Sequence, residues 1–222
     1  MAKAVLATPS MIDFGGIPIK PLRDNSVTDL DLSNRTLGLP EAMVLSGLLP
    51  GAPSLVKLNV DGYAIPIDEL RGTKPVEAID LSDQSGMSVA SGLIIASCLA
   101  GNEHLKSLNV DGHVLPIDEL RGAKPVEAID LSAKSLGVKS ALIIASCLAG
   151  NEHLKSLNLA QNSLSGDRFD QMNALIKLAE VLPSTRITSL NLDFNQLCGI
   201  NMLFGGTFRV DAINALCEAL PK

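Results

Sequence analysis

LVKLNVDGYAIPIDELRGTKPVEAIDLS spans residues 55–82, and LKSLNVDGHVLPIDELRGAKPVEAIDLS spans residues 105–132; only six of these 28 positions differ. Downstream of each copy, LIIASCLAGNEH occurs unchanged at 93–104 and 142–153. A unit of about fifty residues is therefore present twice, and internal repetition of this length marks a repeat architecture. Inside it lies a shorter pattern: an apolar residue, two variable ones, then apolar–polar–apolar. It starts at Val27, Leu55, Val76, Leu105, Val126, Leu154 and Ile187, with its fourth residue at Leu30, Leu58, Ile79, Leu108, Ile129, Leu157 and Leu190. A weaker match, IDFGG, starts at Ile12.

Alternation of apolar and polar residues over so short a span is the signature of a strand with one face buried. Each strand is too short to fold alone, so its inward residues must stack on those of the next unit. Helical runs are expected between strands at about 40–49, 89–99, 138–149, 168–182 and 209–220. In the short units, Pro66 and Pro116 leave room for about one helical turn, of α or 3₁₀ type. The repeated Asp-Glu-Leu-Arg at 68–71 and 118–121 is read as a solvated turn face.

The strands followed by helices, as in LKSLNLAQNSL (154–164) and ITSLNLDFNQL (187–197), resemble a leucine-rich repeat protein over residues 12–220. The long units are similar to the ribonuclease-inhibitor type, an intracellular subclass, here with long and short repeats alternating. The resemblance implies an α/β leucine-rich-repeat solenoid, or horseshoe. A curved parallel β-sheet would form its concave face, with helices or short 3₁₀ turns on the convex face. One domain over 1–222 is expected: a degenerate N-terminal unit (1–26), seven repeat strands (27–192) and a C-terminal loop and helix (193–222). The family's asparagine ladder has residues for it only at Asn162 and Asn195.

The resemblance also implies that positions three, five and seven of each strand point out of the concave sheet. They hold seven Asp and one Lys. With strands about 4.8 Å apart, an acidic stripe is expected, and its candidate protein-binding residues are Asp29, Asp31, Asn59, Asp61, Asp80, Asn109, Asp111, Asp130, Asn158, Asn191 and Asp193. Asp or Asn at position five is also ordinary repeat consensus, so the stripe has a structural reading beside the functional one. Tyr63 and His113, which follow Asp-Gly in matching turns, are read either as rim anchors of the binding surface or as turn residues lying over the next proline-containing segment.

Composition narrows the function. Lys and Arg total 18 against 24 Asp and Glu, and aromatic residues are 3% of the chain with no Trp. An acidic chain without a basic block or a stacking inventory is unsuited to nucleic acid. No run of about 18 apolar residues is present to span a bilayer, and MAKAVLATPSMIDF lacks the layout of a secretory signal. The four cysteines sit in or beside apolar segments, as free thiols of a reducing, cytoplasmic compartment would. No HExxH, CxxC, GxSxG or phosphate loop occurs, so neither catalysis, a metal nor a cofactor is expected. The expectation is a non-catalytic protein-binding repeat scaffold whose partner is a basic protein or peptide. The alternative is a structural or self-assembling module, or a fragment of a longer solenoid. A homodimer through the C-terminal end is a further expectation, with Met202, Phe204 and Phe208 of the preceding loop as the alternative cover for that end.

Overall fold

The computed structural model describes residues 1–84, 86–166, 172–198, 200–201, 205–206 and 208–219. Met202, Phe204, Leu220 and the expected helical residues 168–171 lie outside the described residues. Two compact units make up the chain: residues 1–76 with 84–104, and residues 77–83 with 105–222.

The first unit contains α1 (Ala2–Ala7), α2 (Ile19–Arg23), β1 (Asp29–Leu32), α3 (Leu39–Leu48), β2 (Lys57–Val60), β3 (Tyr63–Ile65), α4 (Ile67–Arg71) and α5 (Val89–Cys98). β1 pairs with β2 in parallel, Leu30 against Leu58, and β2 pairs with β3 in antiparallel fashion. The reversal is a two-residue hairpin at Asp61-Gly62, both with positive φ (56° and 82°). Two such residues form a type I′ turn, whose twist matches that of the flanking strands. Pro66 then ends the strand and opens α4, because it has no N–H to continue a ladder. The inward residues Leu58, Val60, Ile65, Ile67 and Leu70 are all buried, and α5, whose Ile94, Ile95 and Cys98 are buried as well, packs against α4 and α3. Each such apolar side chain contributes about 1.5–3 kcal/mol on burial.

The second unit repeats this plan and then departs from it. It contains β4 (Ala78–Asp80), β5 (Ser107–Val110), β6 (His113–Pro116), α6 (Ile117–Arg121), β7 (Ala128–Asp130), α7 (Val138–Leu148), β8 (Ser156–Asn158), α8 (Asn173–Val181), β9 (Ser189–Asn191), the short pair β10 (Ile200–Asn201) and β11 (Gly205–Gly206), and α9 (Asp211–Ala219). β4 and β5 are parallel, and β6 returns antiparallel through Asp111-Gly112, again with both φ positive. In the last copy Ala160-Gln161 replaces Asp-Gly and no hairpin forms, so β7, β8 and β9 make an all-parallel sheet. α7 packs on α8 and α8 on α9.

The architecture is mixed α/β, and all seven expected strands form at their expected places. They do not form the single seven-stranded parallel sheet the sequence reading expects. The strands fall into three sheets of three, because β3 and β6 occupy the edges where the next parallel strand was expected. The expected helical runs are α3, α5, α7, α8 and α9, and the single turns after Pro66 and Pro116 are α4 and α6.

The Asp-Glu-Leu-Arg segment is not a solvated face. Leu70 and Leu120 are fully buried, and Arg71 is half-buried, donating to the carbonyls of Leu49 (2.8 Å), Leu55 (2.9 Å) and Ala52 (3.3 Å). Those acceptors lie in and around the 3₁₀ turn Leu49–Gly51 that closes α3, where the guanidinium adds a charged donor to carbonyls at a helix end.

Candidate protein-binding surface

Strand alternation sends Leu30, Leu32, Leu58 and Val60 inward and leaves Asp29, Asp31, Lys57 and Asn59 on the other face of the first unit's sheet. Lys57 forms an exposed ion pair with Asp29 at 2.9 Å. That contact, together with the Thr28 hydroxyl, holds the Asp29 carboxyl below its ordinary range. Asp31 accepts the Ser33 N–H at 2.9 Å. The Ser33 hydroxyl and N–H and the Asn59 amide lower its pKa.

The second unit uses the same device on both its sheets. Asp80 lies beside Asn109, and Asp130, Asn158 and Asn191 form a row across β7, β8 and β9. Asp80 accepts the Ser82 N–H at 2.9 Å; Asp130 accepts both the N–H (2.9 Å) and the hydroxyl (2.6 Å) of Ser132. Asn158 and Asn191 accept the N–H of Ala160 (3.1 Å) and of Asp193 (2.9 Å). Asp31, Asp80, Asp130, Asn158 and Asn191 thus each close a turn onto the backbone two residues on, whereas Asn59 and Asn109 precede the hairpins and do not. Both carboxyls are held below the usual range. For Asp80 the first cause is the Ser82 N–H, for Asp130 the Ser132 hydroxyl, with the neighbouring Asn amide assisting each.

Asp61 and Asp111 are not on the outward face, because the strand ends at the residue before each and the type I′ turn redirects the side chain. Asp61 accepts the Ser88 N–H (2.8 Å) and the Ser91 hydroxyl at the start of α5. Asp111 accepts the N–H of Gly137 (3.2 Å) and of Ser140 (3.3 Å) and the Ser140 hydroxyl (2.7 Å) at the start of α7, where it also pairs with Lys139. A carboxylate there answers unpaired N–H groups and the positive end of the helix. The acidic face therefore keeps Asp29 and Asp31 in the first unit and Asp80, Asp130 and the exposed Asp193 in the second.

Tyr63 and His113 begin β3 and β6, opposite Val60 and Val110. The half-buried Tyr63 accepts the Gly86 N–H on its hydroxyl at 3.3 Å. Neither residue sits in a bare turn, since each is the first paired residue after one.

Asn162 and Asn195 do form a ladder. The Asn162 amide donates to the carbonyls of Leu131 and Leu159 and its oxygen accepts the N–H of Lys134 and Leu136; the Asn195 amide donates to Leu159 and Leu192. Two further asparagines do comparable work where the sequence reading placed nothing. Asn102 and Asn151 are buried, and each donates to the last carbonyls of a short helix: Glu69 and Leu70 of α4, Glu119 and Leu120 of α6. The one available signal was the unchanged Gly-Asn-Glu-His that ends both long copies.

The four cysteines are free; burial pushes the Cys98 and Cys147 thiols up to about 11. Among the described residues, no group of three or more His, Cys, Asp or Glu is placed to hold a metal ion, and no helix is long and apolar enough to cross a membrane. Comparison with family models, with characterised proteins and with solved structures finds no match to this chain.

Proposed function

We propose that the chain is a non-catalytic protein-binding scaffold of leucine-rich-repeat solenoid type, docking a basic protein or peptide on its acidic strand faces. The observation that carries this reading is the fixing of Asp31, Asp80 and Asp130. Each carboxylate stands on a strand, is held by a backbone N–H two residues on, and is flanked by an Asn amide on the next strand. Charges held in this way are oriented before a partner arrives, which lowers the ordering cost of association. The seven regularly spaced strands and the Asn162–Asn195 ladder support the repeat assignment. A net charge of -6 favours cationic partners over nucleic acid. Four free cysteines, two of them buried, support a cytoplasmic setting.

The test is association with an Arg- and Lys-rich peptide followed by stopped flow. Changing Asp80 and Asp130 together to Asn should slow association more than it speeds dissociation, and added salt should do the same. Binding indifferent to both would remove the acidic faces from the docking surface.

A further inference from the structure

Parallel addition of a strand in this protein follows one backbone rule. The carbonyl two residues before a strand's central apolar residue accepts two successive N–H groups from the strand that joins it. Thr28 accepts from Val56 and Lys57, Glu77 from Lys106 and Ser107, Glu127 from Lys155 and Ser156, and Lys155 from Thr188 and Ser189, all at 2.8–3.1 Å. Where a hairpin replaces the next strand, as at Lys106, the same carbonyl accepts from Ile117 and Asp118 instead. The next acceptor in this series is Thr188, on the outer edge of β9. Among the described residues nothing donates to its carbonyl. Beside it lies a groove of about 330 Å³ walled by Leu182, Pro183, Ile187, Leu190 and Ala219. Leu190 is half-buried, whereas its counterpart Leu157 is 1% exposed.

The opposite deficiency exists at Met11–Phe14. Phe14 and Ile17 exchange both N–H···O bonds (3.1 and 2.9 Å) across Gly15-Gly16, and the Ile12 carbonyl accepts the Lys20 N–H at 3.1 Å. These contacts match the Leu108–Leu115 pair and the Asp118-to-Lys106 bond, which aligns Met11, Ile12, Asp13 and Phe14 with Leu105, Lys106, Ser107 and Leu108. Met11–Phe14 is thus laid out as a joining strand, with no parallel partner strand among the described residues. Its two donors, the N–H groups of Ile12 and Asp13, have no acceptor among the described residues. Met11 and Phe14 are half-buried, while Leu105 and Leu108 are 2% and 0% exposed.

We propose that β9 is a docking edge for a second copy of this chain, which adds its Met11–Phe14 segment as the next parallel strand. Thr188 accepts the Ile12 and Asp13 N–H groups of the second copy, Met11 enters the groove, and Phe14 lies against Leu190. The contact continues the ladder of β7, β8 and β9 and joins two different surfaces, so it is head-to-tail rather than two-fold. It leaves the acidic faces out of the contact and does not depend on the function proposed above.

Sedimentation of the full chain over a concentration series tests this, with Met11→Lys blocking one surface and Ile187→Lys the other. Wild type should associate, and each variant alone should remain monomeric with an unchanged circular dichroism spectrum. An equimolar mixture should restore a species of twice the monomer mass and nothing larger, because one intact surface remains on each variant. Hydrogen exchange on the wild type needs no variant: the Ile12 and Asp13 amides should slow by about tenfold or more as concentration rises. A wild type that stays monomeric at high micromolar concentration overturns the proposal. So does association that survives Met11→Lys, which would mean tail-to-tail pairing, or a mixture that restores nothing.

Discussion

The Asp111 carboxylate lies 2.9 Å from the Lys139 ammonium, with only 13% and 16% of the two side chains exposed. Asp61, its counterpart in the first unit, accepts the matching Ser88 N–H and Ser91 hydroxyl at a helix N-terminus, but Ala90 stands where Lys139 would be. Two nearly identical segments therefore differ by one partly desolvated charge.

Removing a carboxylate from a helix N-terminus costs about 1–2 kcal/mol, and stranding a partly buried lysine adds to that. Asp111→Ala should cost about 2–4 kcal/mol and Asp61→Ala about 1–2 kcal/mol. Urea denaturation, with amide exchange read separately in α5 and α7, measures both. Equal costs would mean that desolvation cancels the Asp111–Lys139 attraction.

Leu108 is fully buried on β5 while its neighbour Asn109 faces the other way, half-buried, its side-chain oxygen without a partner. Leu108→Ala should cost about 2–5 kcal/mol through lost burial and a residual cavity. Asn109→Ala should cost clearly less, because it gives up only an amide contact to Asp80. Chemical denaturation ranks them, and the reverse order would place the strand one residue out of register.

That inward–outward assignment was legible because the pattern alternates with period two for as long as the strand lasts. It failed where the period was carried past the strand's end. Position seven falls on Asp61 and Asp111, which the type I′ turn turns toward a helix. Asp-Gly between alternating residues is a strong local hairpin signal, which the parallel-repeat pattern does not contain, so that pattern gives no place to the extra strands β3 and β6. The contrast with Ala160-Gln161, where the parallel ladder does continue, was in the sequence as well. The roles of Asn102, Asn151 and Arg71 were not legible for another reason, although the repetition of Gly-Asn-Glu-His singled out the two asparagines. Their partners are backbone carbonyls of other segments, and no sequence pattern records a carbonyl that lacks a donor.

Asp130 owes its lowered pKa first to the Ser132 hydroxyl and then to the Ser132 N–H. A carboxyl depressed on folding contributes stability above its unfolded value, near 3.8, and loses that contribution as pH falls through the lower folded value. Asp29, Asp31, Asp80 and Asp130 should therefore stay ionised to lower pH than an ordinary aspartate does. Ser132→Ala removes the larger cause, so the Asp130 midpoint should rise toward 3.8 while that of Asp80 does not move. Carboxyl NMR titration of both residues checks this. An unmoved Asp130 would leave the lowering to the backbone N–H, the Asn158 amide and Lys134.

Gly112 and Gly122 both have left-handed backbones, with φ of 77° and 80°, but for an added methyl group they are not equivalent. At Gly112 a Cβ meets nothing within 4 Å, so Gly112→Ala carries only the backbone cost, about 1–2 kcal/mol. At Gly122 the Cβ would stand 3.0 Å from the Asn151 side-chain oxygen. That oxygen accepts the N–H groups of His153 and Leu154 while the amide nitrogen bonds Glu119 and Leu120. Shifting it disturbs four hydrogen bonds around a residue that is 1% exposed, where unpaired polar groups are expensive. Gly122→Ala should therefore cost about 3–4 kcal/mol. Gly112→Asn should recover much of the Gly112→Ala loss, since Asn tolerates this conformation, whereas Gly122→Asn should not. Thermal melts of the four variants decide the matter. If the two alanine variants lose the same stability, the crowding at Asn151 costs nothing and the buried asparagine is not what closes α6.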